Sequence, residues 1–412
     1  MKIARLFLPG RFEDAYVYMG NLLVITEQRT LLVYYLKQIL DNLEDQYPDL
    51  APVIAMMFAN NNWRHDRLFK SFLKNPKIAD IILKTFDKFP LPYLEVNKEI
   101  TTDAMRTEDE IHISDQVLLD FFAYNRRLYI GASSGFYHLD VEWEDNRKSR
   151  SGQTFIRGKP LKRLDTRCIS ISAGFGAVNA SCGREGLFAA LDEFRWMHKD
   201  NGHIPKLEQH DSRSLRTNWS DYNLVNYSSY ENPLFLGNTY ERIDNNKGRE
   251  QERRVLTSIG ETHHELGYFF GSIYERYDVQ KSSVQYSFNA GNTFFVHTHH
   301  GQFYSLNILF PLNREPEMRF NTTFKGETTR ILSAHELGVG SVIETDNRIL
   351  LFSDRRWWTV HNGEAMSIRT FPRSEAYRNI VAITLEEGLL LVGIFDDEKF
   401  LQQRPERFSW AP

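Results

Sequence analysis

The chain has 412 residues, of which 42% are hydrophobic and 25% charged, and its formal net charge is −4. This composition is that of an ordinary globular protein and excludes the disordered, collagen-like and coiled-coil classes. The net charge excludes a global basic field, so any contact with nucleic acid must be local. Aromatic residues make up 13% of the chain and favour β-structure, because they pack well on pleated, half-buried surfaces.

The N-terminal segment and the cysteine count indicate the compartment. Residues 1–10 read MKIARLFLPG, in which Arg5 interrupts the apolar run and no small-residue cleavage site follows, so the segment is unlike a signal peptide. No window approaches the roughly 18 uncharged apolar residues of a membrane helix. Two cysteines, Cys168 and Cys182, are too few for a disulfide framework. We therefore expect a cytoplasmic protein that has no membrane partner.

A turn–strand–turn–strand phrase recurs along the chain. Each copy opens with a Gly or Asn turn before an apolar strand, and a second tight turn leads into the next strand, which is typical of β-hairpins. The clear copies are GNLLVITEQRTLLV (20–33), NRRLYIGASSGFYH (125–138), GNTFFVHTHHGQFY (291–304), NRILLFSDRRWWTV (347–360) and EGLLLVGIFDDEKFL (387–401). Weaker copies lie at 176–189 and 232–240, which makes seven units.

Further apolar segments upstream of each hairpin raise the count to about four strands per unit, which is the composition of a propeller blade. Outside a helical stretch at 33–90, the chain divides into seven units of about 50 residues, near the range of propeller repeats. The last unit, with strands at 380–385, 389–395 and 399–403, lacks an outer strand that residues 1–8 can supply. We predict an all-β fold over 1–412, a single seven-bladed β-propeller closed by its N-terminal strand. A pair of β-sandwiches is the alternative.

The phrase at 125–137 carries a resemblance to a known superfamily. Asn125–Tyr137 resembles the blade repeat of sensor-type and WD40-like β-propellers, in which a turn and a strand precede a Gly-aromatic strand. The likeness concerns architecture, since the chain lacks the Trp-Asp and Gly-His pairs of WD40 repeats and the glycine pairs of kelch repeats. It implies no residue roles.

Residues 33–90 follow a helical period. Leu32, Leu36, Ile39, Leu40 and Leu43 form a stripe at helical spacing, and the pattern continues, after a break at Tyr47-Pro48, to Phe89-Pro90. We predict a small helical insert within the first blade. Its apolar stripes either pack on each other and on the blade or leave one face for a partner protein. The candidate partner-binding residues are Leu36, Leu43, Phe58, Trp63, Phe69 and Phe72.

A basic segment lies between the second and third units. Eight cations and a single acid, Asp165, fall between Arg147 and Arg167. Such a local cluster suits an anionic surface or a phosphate backbone, and Phe155 can stack on a base. Its Ser and Gly residues equally suit a solvated loop that only keeps the protein soluble. The candidate partner-binding residues of this predicted loop are Arg147, Lys148, Arg150, Arg157, Lys159, Lys162 and Arg163.

Catalytic and metal-binding patterns are weak. His297 and His299 share a strand face, and His263-His264-Glu265 lies upstream, but the spacing matches no known zinc motif. Cys182 beside Arg184 is better explained as a buried strand-end thiol than as a nucleophile. No Gly-x-Ser-x-Gly elbow or Walker-type loop is present. We expect no cofactor, no metal and no enzymatic activity.

Two functions remain open. The first is a non-enzymatic β-propeller scaffold or adaptor that binds protein partners in a cytoplasmic multi-subunit complex, for which a bacterial defence or signalling system is the suggested setting, with nucleic acid as a further partner of the basic segment. The second is a ligand sensor or hydrolase whose site lies at the central channel, where inner strands such as 117–122 and 342–344 are expected to converge. A convergent cluster of titratable side chains on inner strands would favour the second function.

Overall fold

The computed structural model describes residues 1–59, 75–110, 117–143, 154–191, 207–220, 222–243, 253–309, 317–326, 330–374 and 376–397. The chain divides into two compact units. Unit 1 comprises Met1–Glu27, Leu32–Arg106 and Ser333–Pro412, and unit 2 comprises Gln28–Leu31 and Thr107–Leu332.

Three sheets belong mainly to unit 1. Blade 1 has the strand order β2-β3-β4-β6, blade 6 the order β23-β24-β25-β26, and blade 7 the order β27-β28-β29-β1-β5. Their strands are β1 Lys2–Pro9, β2 Phe12–Tyr18, β3 Asn21–Thr26, β4 Thr30–Tyr35, β5 Leu94–Glu95, β6 Met105–Glu110, β23 Ser333–Leu337, β24 Gly340–Glu344, β25 Arg348–Ser353, β26 Arg356–Asn362, β27 Ser367–Thr370, β28 Ile380–Leu385 and β29 Gly388–Phe395.

Unit 2 holds four sheets of four strands each. Blades 2 to 5 take the strands β7–β10, β11–β14, β15–β18 and β19–β22 in chain order. These strands are β7 Leu118–Tyr124, β8 Arg127–Ala132, β9 Gly135–Trp143, β10 Thr154–Leu164, β11 Ser170–Gly174, β12 Ala177–Ser181, β13 Leu187–Leu191, β14 Glu208–Asp211, β15 Arg216–Ser220, β16 Asn223–Tyr227, β17 Leu234–Ile243, β18 Arg253–Glu265, β19 Val284–Ala290, β20 Thr293–Thr298, β21 Gln302–Leu309 and β22 Glu317–Lys325.

The N-terminal strand completes the last blade. β1 pairs antiparallel with β29 over eight residues, from Lys2 opposite Phe395 to Pro9 opposite Gly388. Its other edge takes the short strand β5 in parallel. The prediction of an all-β, seven-bladed β-propeller closed by its N-terminal strand is confirmed by these sheets.

Tight turns between the strands explain why the repeated phrase forms hairpins. Two-residue hairpin turns of type I′ require positive φ at both central residues. Met19-Gly20 has φ values of 48° and 80°, and Phe175-Gly176 has 52° and 91°. Glycine at the second position removes the Cβ that would disfavour this conformation. The turns at Asn125-Arg126 and Asp354-Arg355 reach the same backbone region without glycine.

Adjacent blades within each unit are joined at one repeated position, the third residue of the first strand. In blade 2 this residue is Asp120, whose carboxylate accepts a hydrogen bond from the backbone N–H of Ile171 in blade 3. In blade 3 it is Ser172, whose hydroxyl is 2.5 Å from that of Thr217 in blade 4. In blade 4 it is Asn218, whose Nδ2 donates to the carbonyl of Asn289 in blade 5. The position therefore connects successive first strands.

Helices interrupt the strands at two places. The first group lies between β4 and β6 and consists of α1 Leu36–Gln46, α2 Ala51–Ile54 with a π-helical turn at Ala55–Ala59, α3 Pro76–Asp87 and α4 Lys98–Ala104. The second place is α5, Gly267–Tyr277, between blades 4 and 5. The sequence analysis placed helix only at 33–90, so it was wrong about α5, whose aromatic residues mimic a strand pattern. No helix among the described residues has the length and hydropathy to cross a membrane.

The turn–strand–turn–strand phrase does not form the same two strands in every blade. At 125–138 it forms β8 and β9, the second and third strands of blade 2, whereas at 347–360 it forms β25 and β26, the third and fourth strands of blade 6. Residues 342–344 therefore lie in the second strand of blade 6, whereas the sequence predicted that they form its inner, first strand. The first strand is β23. The strand predicted at 399–403 lies outside the described residues.

Candidate functional site

The basic segment forms a strand where it is described. Arg157, Lys159, Lys162 and Arg163 belong to β10, the last strand in the sheet order of blade 2. The prediction of a loop at these positions is wrong, because β10 pairs antiparallel with β9, with Leu161 opposite His138. Arg147, Lys148 and Arg150 lie outside the described residues, as does any contact they make. The described cations are therefore held on an outer strand.

One end of β10 combines cations with an exposed apolar residue. Lys159, Lys162 and Arg167 are exposed, and Leu161 between them is 55% exposed. An outer strand presents unpaired backbone groups beside its side chains. We call Lys159, Leu161, Lys162, Arg163 and Arg167 the basic edge. It offers apolar area together with positive charge.

Lys162 has two neighbours that orient its ammonium group. Its Nζ lies 2.5 Å from Asp165 and 5.9 Å from the centre of the Tyr137 ring. The hydrogen bond with Asp165 raises the pKa of Lys162, which keeps the side chain charged. The Tyr137 hydroxyl in turn lies 2.7 Å from that of Ser134. Lys162 therefore lies between an acid and an aromatic ring.

The described candidates of the helical segment are buried in unit 1. Leu36, Leu43 and Phe58 are each at most 2% exposed. The segment packs on blade 7, since Met57 lies where a Cβ on Gly393 would be, and Phe86 stacks on Phe395 at 5.4 Å. These three side chains therefore have no surface to offer a partner. Trp63, Phe69 and Phe72 lie outside the described residues.

Two apolar side chains of the helical segment are exposed instead. Ile81 in α3 is 58% exposed, and Leu91 after it is 84% exposed. Single exposed apolar residues are common on protein surfaces, so they define no docking site by themselves.

A carboxylate joins blades 7 and 1 in unit 1. Asp14, the third residue of β2, is 3% exposed and accepts a hydrogen bond from the backbone N–H of Ala15. Ser367 donates to its Oδ1 at 2.8 Å, and Arg369 donates to both of its oxygens, through Nε at 3.0 Å and through Nη2. Arg369 is the third residue of β27. Asp14 is thus a buried carboxylate whose charge is fully compensated by its neighbours.

A second polar group lies on β23 and β24 of blade 6. Ser333 and Glu344 stand directly opposite each other, and His335 is two residues along on the same face. The Ser333 hydroxyl donates to Glu344 Oε2 at 2.6 Å, and His335 Nε2 lies 3.0 Å from Ser333 Oγ. Burial raises the pKa of Glu344, although the hydrogen bond from Ser333 opposes the shift. We call these three residues the blade 6 polar cluster.

This cluster was not predicted from the sequence. The pairing register of β23 and β24 places Ser333 opposite Glu344, and this register could not be predicted from the sequence. A signal was present in the repeats, however. Ser333-x-His335 in β23 matches Ser367-x-Arg369 in β27, and both serines bond to the residue across the hairpin.

The remaining candidates have structural neighbours. His297 is buried, with Nδ1 3.0 Å from Gln285 Oε1, while His299 and His263 are exposed. Within the described ranges no three His, Cys, Asp or Glu side chains are grouped so that they could hold a metal ion. Cys182 is buried as predicted, and its hydrogen bond with Cys168, together with burial, raises the pKa of the Cys168 thiol.

No protein-family model matches the chain, and no curated protein matches it. Among solved structures, the β-propeller domain of Cps50 (Swd1) from Myceliophteria thermophila is 6% identical, with 94% of this chain and 97% of that chain covered and a TM-score of 0.46. The computationally designed Ika8 protein is 9% identical over 95% of this chain and 99% of that chain, with a TM-score of 0.42.

A third similar structure is PorZ, described as an essential bacterial surface component of the type-IX secretion system of Porphyromonas gingivalis. It is 12% identical over 94% of this chain, with a TM-score of 0.42, and this chain spans 37% of the length of PorZ. The fold assignment itself rests on the seven sheets of this chain and on its closing N-terminal strand.

Proposed function

We propose that this protein is a non-enzymatic β-propeller platform that binds an acidic protein surface through its basic edge, as a subunit of a cytoplasmic complex. The observation that carries the proposal is the position of the cations on an outer strand. Lys159 and Lys162 of this strand are exposed and can be reached by a large partner. A partner strand can also extend the sheet there through backbone hydrogen bonds.

The composition of the basic edge supports a protein partner in particular. Leu161 supplies exposed apolar area on the strand that also carries Lys159 and Lys162. Protein interfaces combine an apolar centre with a polar rim, whereas contacts to a phosphate backbone depend mainly on cations. Charges on the rim act chiefly on the association rate and on its salt dependence.

The carboxylates between blades also fit a platform. Asp14 and Asp120 are held by neighbouring blades, so their oxygens are occupied by structural hydrogen bonds. A propeller stiffened in this way can present its outer strands without rearrangement, which lowers the entropic cost of binding.

The test replaces Lys159, Lys162 and Arg163 by Gln in the full chain. Its matched control replaces Lys77, Lys88 and Lys98, three exposed lysines of the helical segment, and changes the net charge equally. Fluorescence anisotropy with a labelled poly-glutamate peptide should show binding to the wild type that weakens at least about tenfold in the first variant, or about 1.4 kcal/mol, and weakens little in the control.

A single-stranded oligonucleotide of equal charge is the second probe. Tighter binding of the oligonucleotide than of the peptide, lost in the same variant, would assign the basic edge to nucleic acid instead. Equal binding by both variants, or binding that added salt does not weaken, would reject the electrostatic role.

A further inference from the structure

Cys168 and Cys182 stand opposite each other in blade 3. Ser170 of β11 pairs with Ser181 of β12. The backbone N–H of Ile169 also donates to the Ser181 carbonyl, at 2.8 Å, so Ile169 and Ser170 share one partner residue, as in a β-bulge. Beyond this bulge the next opposed residues are Cys168 and Cys182, which are the two cysteines of the chain.

The register also directs both thiols to one face of the sheet. Alternate residues of a strand share a face, which places Cys182 on the face of Ala180, and Ala180 is opposite Ile171. The bulge brings Cys168 to the same face, and all four residues belong to one buried cluster. Cys168 is 0% and Cys182 4% exposed, and their thiols hydrogen bond to each other. Opposed antiparallel residues have Cα atoms about 4.5–5.5 Å apart, within the range of about 4.4–6.8 Å that a disulfide requires.

Each cysteine borders a junction between blades of unit 2. The backbone N–H of Cys168 donates to the carbonyl of Ala132 at the end of β8 in blade 2, at 3.1 Å. Cys182 precedes Gly183, which exchanges two backbone hydrogen bonds with Ser214, of 2.7 and 2.8 Å, shortly before the first strand of blade 4. A bond between the two sulfurs would therefore link the segment that contacts blade 2 to the segment that contacts blade 4.

The two thiols differ in their access to a small reagent. Cys182 borders a turn whose residues 184–185 are exposed, and a Cβ on Gly183 would meet no atom within 4 Å, so space is open beside it. Cys168 is packed against Gly131, where a Cβ would lie 3.2 Å from the Cys168 sulfur. The hydrogen bond with Cys182, together with burial, raises the pKa of Cys168, which keeps that thiol protonated at neutral pH. A small oxidant therefore reaches Cys182 first.

We propose that Cys168 and Cys182 are a redox site, at which hydrogen peroxide converts the thiol pair into a disulfide that staples blade 3 between its neighbours. The Cys182 thiolate attacks one peroxide oxygen, the O–O bond breaks, and Cys182 becomes a sulfenic acid while one water leaves. The Cys168 sulfur then attacks the Cys182 sulfur, so that the S–S bond forms and the hydroxyl group leaves as a second water. The two thiols lose two electrons and two protons, and one hydrogen peroxide is reduced to two waters.

The disulfide is expected to stabilise the fold. A crosslink removes conformations from the unfolded chain, and it stabilises the protein when the native geometry accepts it without strain. Here the two sulfurs already contact each other in the reduced protein. A disulfide that stabilises the folded state must, by the same linkage, form more readily in the folded chain than in the unfolded chain. The proposal does not depend on the platform function, because the basic edge takes no part in it.

The first test treats the full chain with hydrogen peroxide and then blocks the remaining thiols with iodoacetamide in denaturant. Peptide mass spectrometry should find the peptides of Cys168 and Cys182 joined, two hydrogens lighter than their sum, and dithiothreitol should restore both thiols. In Cys168→Ser, dimedone, which labels sulfenic acids, should label Cys182 after the same treatment. In Cys182→Ser, dimedone should not label Cys168.

The second test measures stability and equilibrium. Thermal unfolding should have a higher midpoint for the oxidised than for the reduced wild type, and peroxide should not raise the midpoint of Cys168→Ser, which is the control. In glutathione redox buffers the folded chain should be half-oxidised at an oxidising ratio at least about tenfold lower than the chain unfolded in urea. The wild-type measurements decide the proposal even where a serine variant does not fold.

Three results would overturn the proposal. The first is a folded wild type in which peroxide leaves both cysteines open to iodoacetamide. The second is a disulfide that a non-reducing gel shows only between two chains. The third is a folded chain that is oxidised no more readily than the unfolded chain, since the fold would then not favour the bond between Cys168 and Cys182.

Discussion

The Asp14 group and the blade 6 polar cluster each contain a serine that begins the first strand of a blade, but the two carboxylates come from different places. Asp14 belongs to the first strand of the next blade, whereas Glu344 belongs to the second strand of the same blade. Asp14 receives hydrogen bonds from Ser367, from Arg369 and from the backbone N–H of Ala15, and it is 3% exposed. Glu344 is half-buried and receives one bond from a described side chain. The difference teaches that a carboxylate bonded by the neighbouring blade is buried and paired with a cation, whereas a carboxylate bonded only within its own blade stays half-exposed.

The largest expected effect is the loss of Asp14. Replacing Asp14 by Ala leaves the Arg369 guanidinium, which is 17% exposed, without its counter-charge. Breaking a buried pair in this way costs about 3–5 kcal/mol. Urea unfolding followed by tryptophan fluorescence measures the change. Glu344→Ala is the comparison and should cost less than about 1 kcal/mol, because it removes one half-exposed bond. If Glu344→Ala lowered the free energy of unfolding as much as Asp14→Ala does, the prediction that the Asp14 group contributes more to stability would be contradicted.

The second prediction extends the comparison to a buried titratable group in unit 2. Burial lowers the pKa of His138 to about 4, and its Nδ1 has no hydrogen-bond partner among the described residues. The unfolded histidine titrates near 6.5, so the unfolded state binds more protons between pH 6.5 and pH 4. His138 therefore makes the folded state lose stability as the pH falls through this window.

His138→Leu should flatten this acid dependence, because an apolar side chain fits between Tyr129 and Leu161 and carries no proton. Thermal unfolding at a series of pH values measures it. His299→Leu, at an exposed turn, is the matched control and should keep the wild-type slope. His210 and His361, whose pKa values burial also lowers, supply the dependence that remains. If the stability of His138→Leu depended on pH as steeply as that of the wild type, the role of His138 in acid destabilisation would be contradicted.

The third prediction compares the two serines. Ser367→Ala removes a hydrogen bond to the buried Asp14 carboxylate, and bonds to charged groups contribute about 1.5–3 kcal/mol. Ser333→Ala removes a bond to a half-exposed carboxyl group and should cost less than about 1 kcal/mol. Paired urea unfolding curves in one buffer give the difference. A reversed order would mean that the blade 6 polar cluster is the structural group and the Asp14 group is not.

The smallest expected effect concerns the charge of Glu344 itself. Because burial raises the pKa of Glu344, the folded state favours its protonated form. This contribution to stability is fully present below the unfolded pKa near 4.3 and is lost as the pH rises through the folded pKa. Glu344→Gln should therefore be slightly more stable than wild type at pH 7, with the gain vanishing near pH 4. Differential scanning calorimetry at both pH values checks this, and a gain that persists at pH 4 would contradict it.

The sequence predicted the fold through its turns and failed where tertiary register decides. Hairpins at Met19-Gly20 and Asn125-Arg126 were readable because their turns need residues that tolerate positive φ. The helix at Gly267–Tyr277 was missed because buried aromatic residues give similar patterns in helices and strands. The basic segment was assigned to a loop because its Ser and Gly residues outweighed the short alternation of β10.

The site residues were harder to predict from the sequence than the fold was. The basic residues were found from composition, since a local excess of charge needs no register to be seen. The blade 6 polar cluster was not found, because Ser333 and Glu344 are eleven residues apart and meet only through strand pairing. Asp14 and Asp120 could have been predicted from the sequence as a repeated pair, since each is the third residue of a first strand and stands four residues before a tyrosine.

The pairing of β1 with β29 has a consequence for synthesis. Residues 2–9 leave the ribosome long before their antiparallel partner at 388–395 does. Until then an apolar strand edge stays open to other chains, which makes nascent or truncated molecules prone to aggregation. Contacts this distant in sequence also slow folding, because a very long loop must close before they form. The pairing of β1 with β29 therefore forms only in molecules whose translation has passed residue 395.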